Sequence, residues 1–353
     1  MQQIGKKYYR ELIMKRAEET RTIRAASIEL LNRCNFRCKH CFILGNNNEV
    51  ITVQLFKKIA DELKELGCTW MLLTGGEVML HPHFLQIYEY AYNLGFSISV
   101  FTNGSTVSEE VFSVFKKMRP ELIEISLYGC DNQSYEWYTR QSNVFEEVDK
   151  TIQRFKADGH NIVLKTVLTK ELLVSYHSIK EYAAQVGLKL RHDGFILPEV
   201  ENNCANRCQL HRLTPEEVFS IDKQSTALLD NARKLLAKND EFGKNNALYS
   251  CSAGINNIFI DSQGMMEICM MSRHLKYDLK KERASISEGK NILQSSVKAY
   301  PPLSRKDKCF NCKTRIICRY CPGVFLSETG DLYTPSSWNC EYTHLLAHEI
   351  GIE

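Results

Sequence analysis

From Ala26 to Pro198 the apolar positions switch repeatedly between two rhythms. Short continuous runs at Ala26–Leu31, Thr69–Leu73, Ser97–Phe101, Leu122–Leu127, Ile162–Leu168 and Leu188–Leu197 read as strands. Between them, Val53–Leu66, His83–Leu94, Ser108–Met118, Asn143–Phe155 and Ser175–Val186 carry apolar residues at helical spacing. Gly95, Pro120, Gly159 and Gly187 supply the stops. Strands alternating with helices over short connections predict an α/β fold with a parallel sheet and helices outside. Right-handed crossovers let six such strands curl into an open, partial barrel. The polar and glycine-rich turns fall mostly at the C-terminal tips of the strands, the active-site face of such barrels. The loop Cys34–Cys41, Gly75-Gly76-Glu77 and Thr102-Asn103-Gly104 are therefore expected to converge on one pocket.

Residues 26–198 thus form the barrel, and residues 1–25 a charged segment before it. That segment is rich in Lys, Arg and Glu, which excludes a secretory signal. Residues 199–250 read as a connector, with one helix opening at Pro215-Glu216-Glu217 and another over Ala227–Ala237. Residues 251–353 hold most of the remaining cysteines. The composition, 44% hydrophobic and 25% charged over 353 residues, is that of an ordinary globular protein. A formal charge of +3, evenly spread, gives no reason to expect nucleic acid. No apolar run approaches membrane-spanning length, so the chain reads as cytoplasmic, without a membrane partner.

Fourteen cysteines in an unexported chain of this length point to metal rather than to a disulfide scaffold. Cys34, Cys38 and Cys41 have the spacing C-x3-C-x2-C. Three thiolates at that spacing can cap three corners of a 4Fe–4S cube, where a full site supplies four. The fourth iron would stay open for a ligand that is not protein. A zinc loop, or three unrelated thiols, is the plainer alternative. Cys251, Cys269, Cys309, Cys312, Cys318, Cys321 and Cys340 form a later set whose C-x2-C pairs also occur in zinc ribbons. Cys68 and Cys130 look like ordinary core or surface thiols.

The cysteine loop after the first strand, with Gly75-Gly76-Glu77 after the second, resembles the radical S-adenosylmethionine (SAM) superfamily. The resemblance implies a partial (β/α)6 radical SAM barrel in which SAM fills the open iron site through its amino and carboxylate groups. Gly75, Gly76 and Glu77 match the family's GGE motif, which holds the SAM amino group. Val78 stands where many relatives have Pro. By the same resemblance His40 would lie against the adenine. Thr102, Asn103, Ser126 and Lys165 would contact the ribose or the methionine carboxylate, and Arg191 could pair with a carboxylate.

The later cysteines resemble the SPASM domain, a small auxiliary Fe–S module, through Gly264, Cys321-Pro322-Gly323 and Glu328-Thr329-Gly330-Asp331. Two residues separate Cys318 from Cys321 where three are usual. The family pattern implies that Cys309, Cys312, Cys318 and Cys340 hold one auxiliary cluster, and Cys251, Cys269 and Cys321 the other. The second set is one ligand short. Cys204 or Cys208 would complete it, or an iron would stay open to water or substrate.

The implied activity is a radical SAM oxidoreductase that forms a 5′-deoxyadenosyl radical and takes hydrogen from a ribosomal peptide or protein side chain. Its cofactors would be SAM, one catalytic 4Fe–4S cluster and two auxiliary clusters that accept the electron left behind. A small-molecule substrate is the alternative, and a non-enzymatic zinc or Fe–S module the third reading. The implied partners are a peptide and an electron donor such as flavodoxin or ferredoxin; with few residues before the first strand, a leader would be read by a separate leader-binding protein, by the barrel itself or not at all. Sulfatase-maturing relatives carry Asp directly after the second auxiliary cysteine. Met270 stands there, so that activity is not expected.

Overall fold

A computed structural model of the chain describes residues 22–43, 49–198, 210–237 and 246–352. Cys204 and Cys208 lie outside the described residues. β1 (Ala25–Glu29), β2 (Trp70–Thr74), β3 (Ser97–Thr102), β4 (Leu122–Ser126), β5 (Ile162–Val167) and β6 (Lys189–Asp193) pair in parallel, in that order. Their outward side chains, such as Ile28, Leu73, Val100, Ile125 and Leu164, are buried under helices α1 (Val53–Glu65), α2 (Phe84–Asn93), α3 (Glu109–Lys117), α5 (Phe145–Ala157) and α6 (Tyr176–Gln185). Both faces of such strands are covered, which explains their continuous apolar runs.

The helices start and stop where the side chains dictate. Thr52 accepts the Leu55 N–H at the head of α1, whose buried Phe56, Ile59, Ala60 and Leu63 make one stripe. α3 carries Glu109 and Glu110 in its first turn and Lys116 and Lys117 in its last, complementing the helix dipole.

Within the barrel, two features depart from the sequence expectations. A further helix, α4 (Asn132–Thr139), follows β4; Asp131 caps it by accepting the Ser134 N–H, and Tyr135, Tyr138 and Thr139 are buried. β6 ends at Asp193 rather than Leu197. There the chain leaves the sheet at Gly194, where a Cβ would overlap the Val218 side chain on α7 (Pro215–Asp222).

The cysteine-rich third shares the sheet. β7 (Asn257–Ile260) pairs in parallel with β1, Ser27 opposite Phe259. β8 (Met265–Cys269) and β9 (Ser272–Asp278) continue it antiparallel. Nine strands therefore run β6-β5-β4-β3-β2-β1-β7-β8-β9, three more than the barrel expected from sequence. After α8 (Thr226–Ala237) and α9 (Ile286–Ala299), α10 (Pro322–Thr329) and α11 (Ser337–Glu349) complete the chain. Tyr342 and Leu346 of α11 share a second core with Leu168, Tyr176 and Val218, so this third also grips the β6 side of the barrel.

Candidate active site at the strand tips

A cavity of about 590 Å³ opens at the C-terminal ends of β1 to β6. The cysteine loop forms one wall, and Cys34, Cys38 and Cys41 all line it. The Cys41 N–H donates to the Cys38 carbonyl at 3.1 Å, and Cys34 Sγ accepts from the Phe36 N–H at 3.3 Å. Burial pushes the Cys34 thiol up to about 12 and raises Cys38 as well, and neighbouring thiolates add to both. The free thiols thus hold their protons, and metal binding must displace them.

The second wall is the end of β2. The Gly76 N–H donates to the Leu31 carbonyl at 2.8 Å, and the Glu77 N–H to the Arg33 carbonyl at 3.0 Å. A Cβ on Gly75 would overlap the Leu31 oxygen, and one on Gly76 the Arg33 oxygen. Only glycine lets β2 lie so close to the root of the cysteine loop. Three thiols and an exposed glycine backbone facing one cavity fit a cluster with SAM on its open corner.

The structure brings His40, Gly75, Gly76, Thr102, Asn103, Ser126 and Lys165 to the cavity wall. Glu77 is fully buried behind it. Its carboxylate accepts from the Thr102 hydroxyl and the Asn103 N–H, both at 2.6 Å, and from the Met79 N–H at 3.1 Å. It braces the tips of β2 and β3 instead of facing a ligand. Arg191 is also off the wall, 54% exposed, and pairs with Glu124 at 2.9 Å. Lys165 reaches the same carboxylate at 3.7 Å. Asn103 Nδ2 lies 3.8 Å from Cys34 Sγ and donates to Asn35 at 2.9 Å, tying β3 to the cysteine loop.

Sequence reasoning missed the contribution of α4. The His40 ring packs between Tyr128 and Tyr138, and its Nδ1 is 2.8 Å from the Tyr138 hydroxyl. Burial, with the charge of Lys165, holds His40 down to about 3, so the ring is neutral. Arg140 ends α4 in the left-handed region (φ 58°, ψ 32°) and lines the cavity. Holding a side-chain residue there costs about 1 kcal/mol. Among the described residues its guanidinium has no ion-pair partner, whereas Lys165 and Arg191 are spent on Glu124. Arg140 is thus a cation on the wall available to a ligand carboxylate. Arg140→Ala is expected to weaken SAM binding roughly 10- to 100-fold, the value of one charge-assisted contact, as read by equilibrium dialysis.

The later cysteines gather into two groups. Burial, then the charges of Cys318, Cys340 and Cys312, push Cys309 up to about 12. Cys318 goes up to about 11, chiefly by burial, with Cys340 and Cys312 adding to it. Cys269 is likewise raised to about 11, first by burial and then by Cys321 and Cys251. Among the described residues no three Cys, His, Asp or Glu side chains close around a single-ion site. Cys269 ends β8, and the turn after it puts Met270 and Met271 into the cavity wall.

Residues 28–173 match the model of the radical SAM superfamily. Over those residues the chain is similar to the radical SAM superfamily. That family likeness implies SAM and a 4Fe–4S cluster as cofactors. Over 167 residues it is 26% identical to the antilisterial bacteriocin subtilosin biosynthesis protein AlbA of Bacillus subtilis. That match covers 46% of this chain and 37% of AlbA, so the chain spans little more than a third of that relative's length. An AdoMet-dependent heme synthase of Methanosarcina barkeri is 21% identical over 337 residues, 88% of this chain and 95% of that one. Among solved structures, SuiB of Streptococcus suis bound to S-adenosylmethionine superposes with a TM-score of 0.65 at 15% identity. It covers 96% of this chain and 82% of its own, a likeness of fold. Among the described residues no helix is long and apolar enough to cross a membrane.

Proposed function

We propose that this radical SAM enzyme oxidises a peptide or protein side chain, and that its C-terminal third is a SPASM domain holding two auxiliary clusters. When bound, the reduced cluster and SAM supply a 5′-deoxyadenosyl radical able to take hydrogen from an unactivated C–H bond. The chain's own residues do the rest. Cys34, Cys38 and Cys41 hold the cluster, and the Gly75-Gly76 backbone and Arg140 fix the amino acid end of SAM. His40, stacked on Tyr138 and held against Tyr128, meets the adenine, and the enclosing walls keep water away from the radical. Cys309, Cys312, Cys318 and Cys340 would hold one auxiliary cluster and Cys251, Cys269 and Cys321 the other.

One observation carries this reading: the Met270-Met271 turn that borders the cavity follows directly on Cys269. A substrate in the cavity would then sit beside a metal site able to take up its electron. AlbA, named for bacteriocin biosynthesis, adds support for a peptide. An acidic one-electron carrier such as flavodoxin or ferredoxin would supply the electron, and a separate protein could present a leader. The match along most of the heme synthase favours the second reading, a small-molecule substrate.

The test is anaerobic incubation of reconstituted protein with SAM, a strong reductant and peptides encoded beside the gene. Release of 5′-deoxyadenosine with loss of about 2 Da from a peptide, two hydrogens, is expected. Release without any peptide change would move the reading to a small molecule. No release with intact clusters would overturn both.

A further inference from the structure

Away from the cysteine loop the cavity wall is apolar. Phe101 lies one residue before the end of β3, Val167 ends β5, Phe195 and Leu197 follow β6, and Met270 and Met271 face them from the β8–β9 turn. Three carboxylates interrupt this surface, Glu29, Glu124 and Asp193. Each is already matched within the protein. Glu29 takes Arg273 at 3.2 Å and the Ser262 hydroxyl at 3.0 Å. Glu124 takes Arg191 and Lys165. Asp193 takes Arg319 at 3.2 Å and the Phe195 N–H at 2.9 Å.

A charged side chain entering this half would lose its hydration and find Glu29, Glu124, Asp193 and Lys165 already paired, with Arg140 assigned to the SAM carboxylate, a cost that burial does not return. An apolar or aromatic side chain would exchange water for ring and thioether contacts. We infer that the reacting residue is uncharged, aliphatic or aromatic, seated between Met270-Met271 and Phe195–Leu197, with Met271 determining specificity. This rests on the proposed reading of the cavity as a peptide side-chain site and names the class of side chain.

The wall has a fixed position. The Met271 N–H donates to Cys269 Sγ at 3.4 Å, and Arg273 Nε donates to the Met270 carbonyl at 3.2 Å. Gly323 of α10 lies against the turn so closely that a Cβ would overlap the Met271 carbonyl oxygen. The turn is thus held by Cys269, Arg273 and Gly323, and a change at position 271 alters the surface offered to the substrate.

The experiment uses reconstituted, SAM-loaded protein and the amides of N-acetyl-Phe, N-acetyl-Leu, N-acetyl-Lys and N-acetyl-Asp, with affinities read by titration NMR. The Phe and Leu amides should bind about 10-fold or more tightly than the Lys and Asp amides. Met271→Glu should lose about 10-fold for Phe and gain for Lys, while Met271→Ser weakens Phe with no gain for Lys. Equal binding of all four amides, no binding of any, or an unchanged order in both variants would overturn the inference. Peptides left unmodified while the amides keep this order would sink the peptide reading alone. A peptide oxidised at a charged residue would sink the inference alone.

Discussion

Changing Cys34, Cys38 and Cys41 together to Ala abolishes the release of 5′-deoxyadenosine from SAM, an expected loss on the order of 10⁶-fold or more. These are the only thiols that share a wall with Gly75 and Gly76 among the described lining residues. No nearby side chain can replace them: Asn103 offers an amide, and His40 is committed to Tyr138. Chromatography of anaerobic, dithionite-reduced reactions reads the loss. Cys68→Ala is the control, since Cys68 is buried in the core with its thiol 3.4 Å from the Trp70 carbonyl, away from the cavity. Undiminished release from the triple variant would mean that the radical does not originate at this loop.

The alternation of strand and helix was legible because each barrel strand is buried on both faces and each helix shows one apolar stripe. The cysteine spacing and the glycine pair were legible because their chemistry depends on local spacing. α4 was not, since Tyr135, Trp137 and Tyr138 stand among polar residues in a segment too short to display a period. With it went Arg140 and the Tyr138 contact to His40. The pairing of β7 with β1 joins residues more than two hundred positions apart, and no local pattern encodes it. Phe195-Ile196-Leu197 looked like the end of a strand because an apolar run facing a cavity has the same composition as one facing a core. Glu77 and Arg191 mark a further limit. A motif puts a residue at a strand tip, but the neighbouring strand decides what its side chain meets: Thr102 and Asn103 for Glu77, Glu124 for Arg191.

Replacing Arg273 with Met is expected to destabilise the fold by about 3–5 kcal/mol in alkaline buffer, the cost of leaving buried Glu29 without its cation, with Glu267 keeping only Lys276 at 3.3 Å. The Arg273 side chain is 11% exposed and lies over the Phe259 ring at 4.6 Å. It joins Glu29 on β1 to Glu267 on β8, 3.2 and 3.7 Å away. Burial raises both carboxyls from 4.5, Glu267 up to about 8, and Arg273 opposes the rise. Because the folded pKa values exceed the unfolded ones, the folded protein holds protons that the unfolded chain releases. Their stabilisation is full below the unfolded value and is lost as pH rises through the folded one. Without Arg273 the folded values climb further. The variant's deficit should therefore be small near about pH 5, where Glu267 keeps its proton, and should grow towards about pH 8.5. Urea unfolding of the two proteins across that range measures it. A deficit that does not change with pH would mean that Arg273 acts by packing on Phe259 alone, and that the wall carrying Met270 and Cys269 is held to the barrel without a charge network.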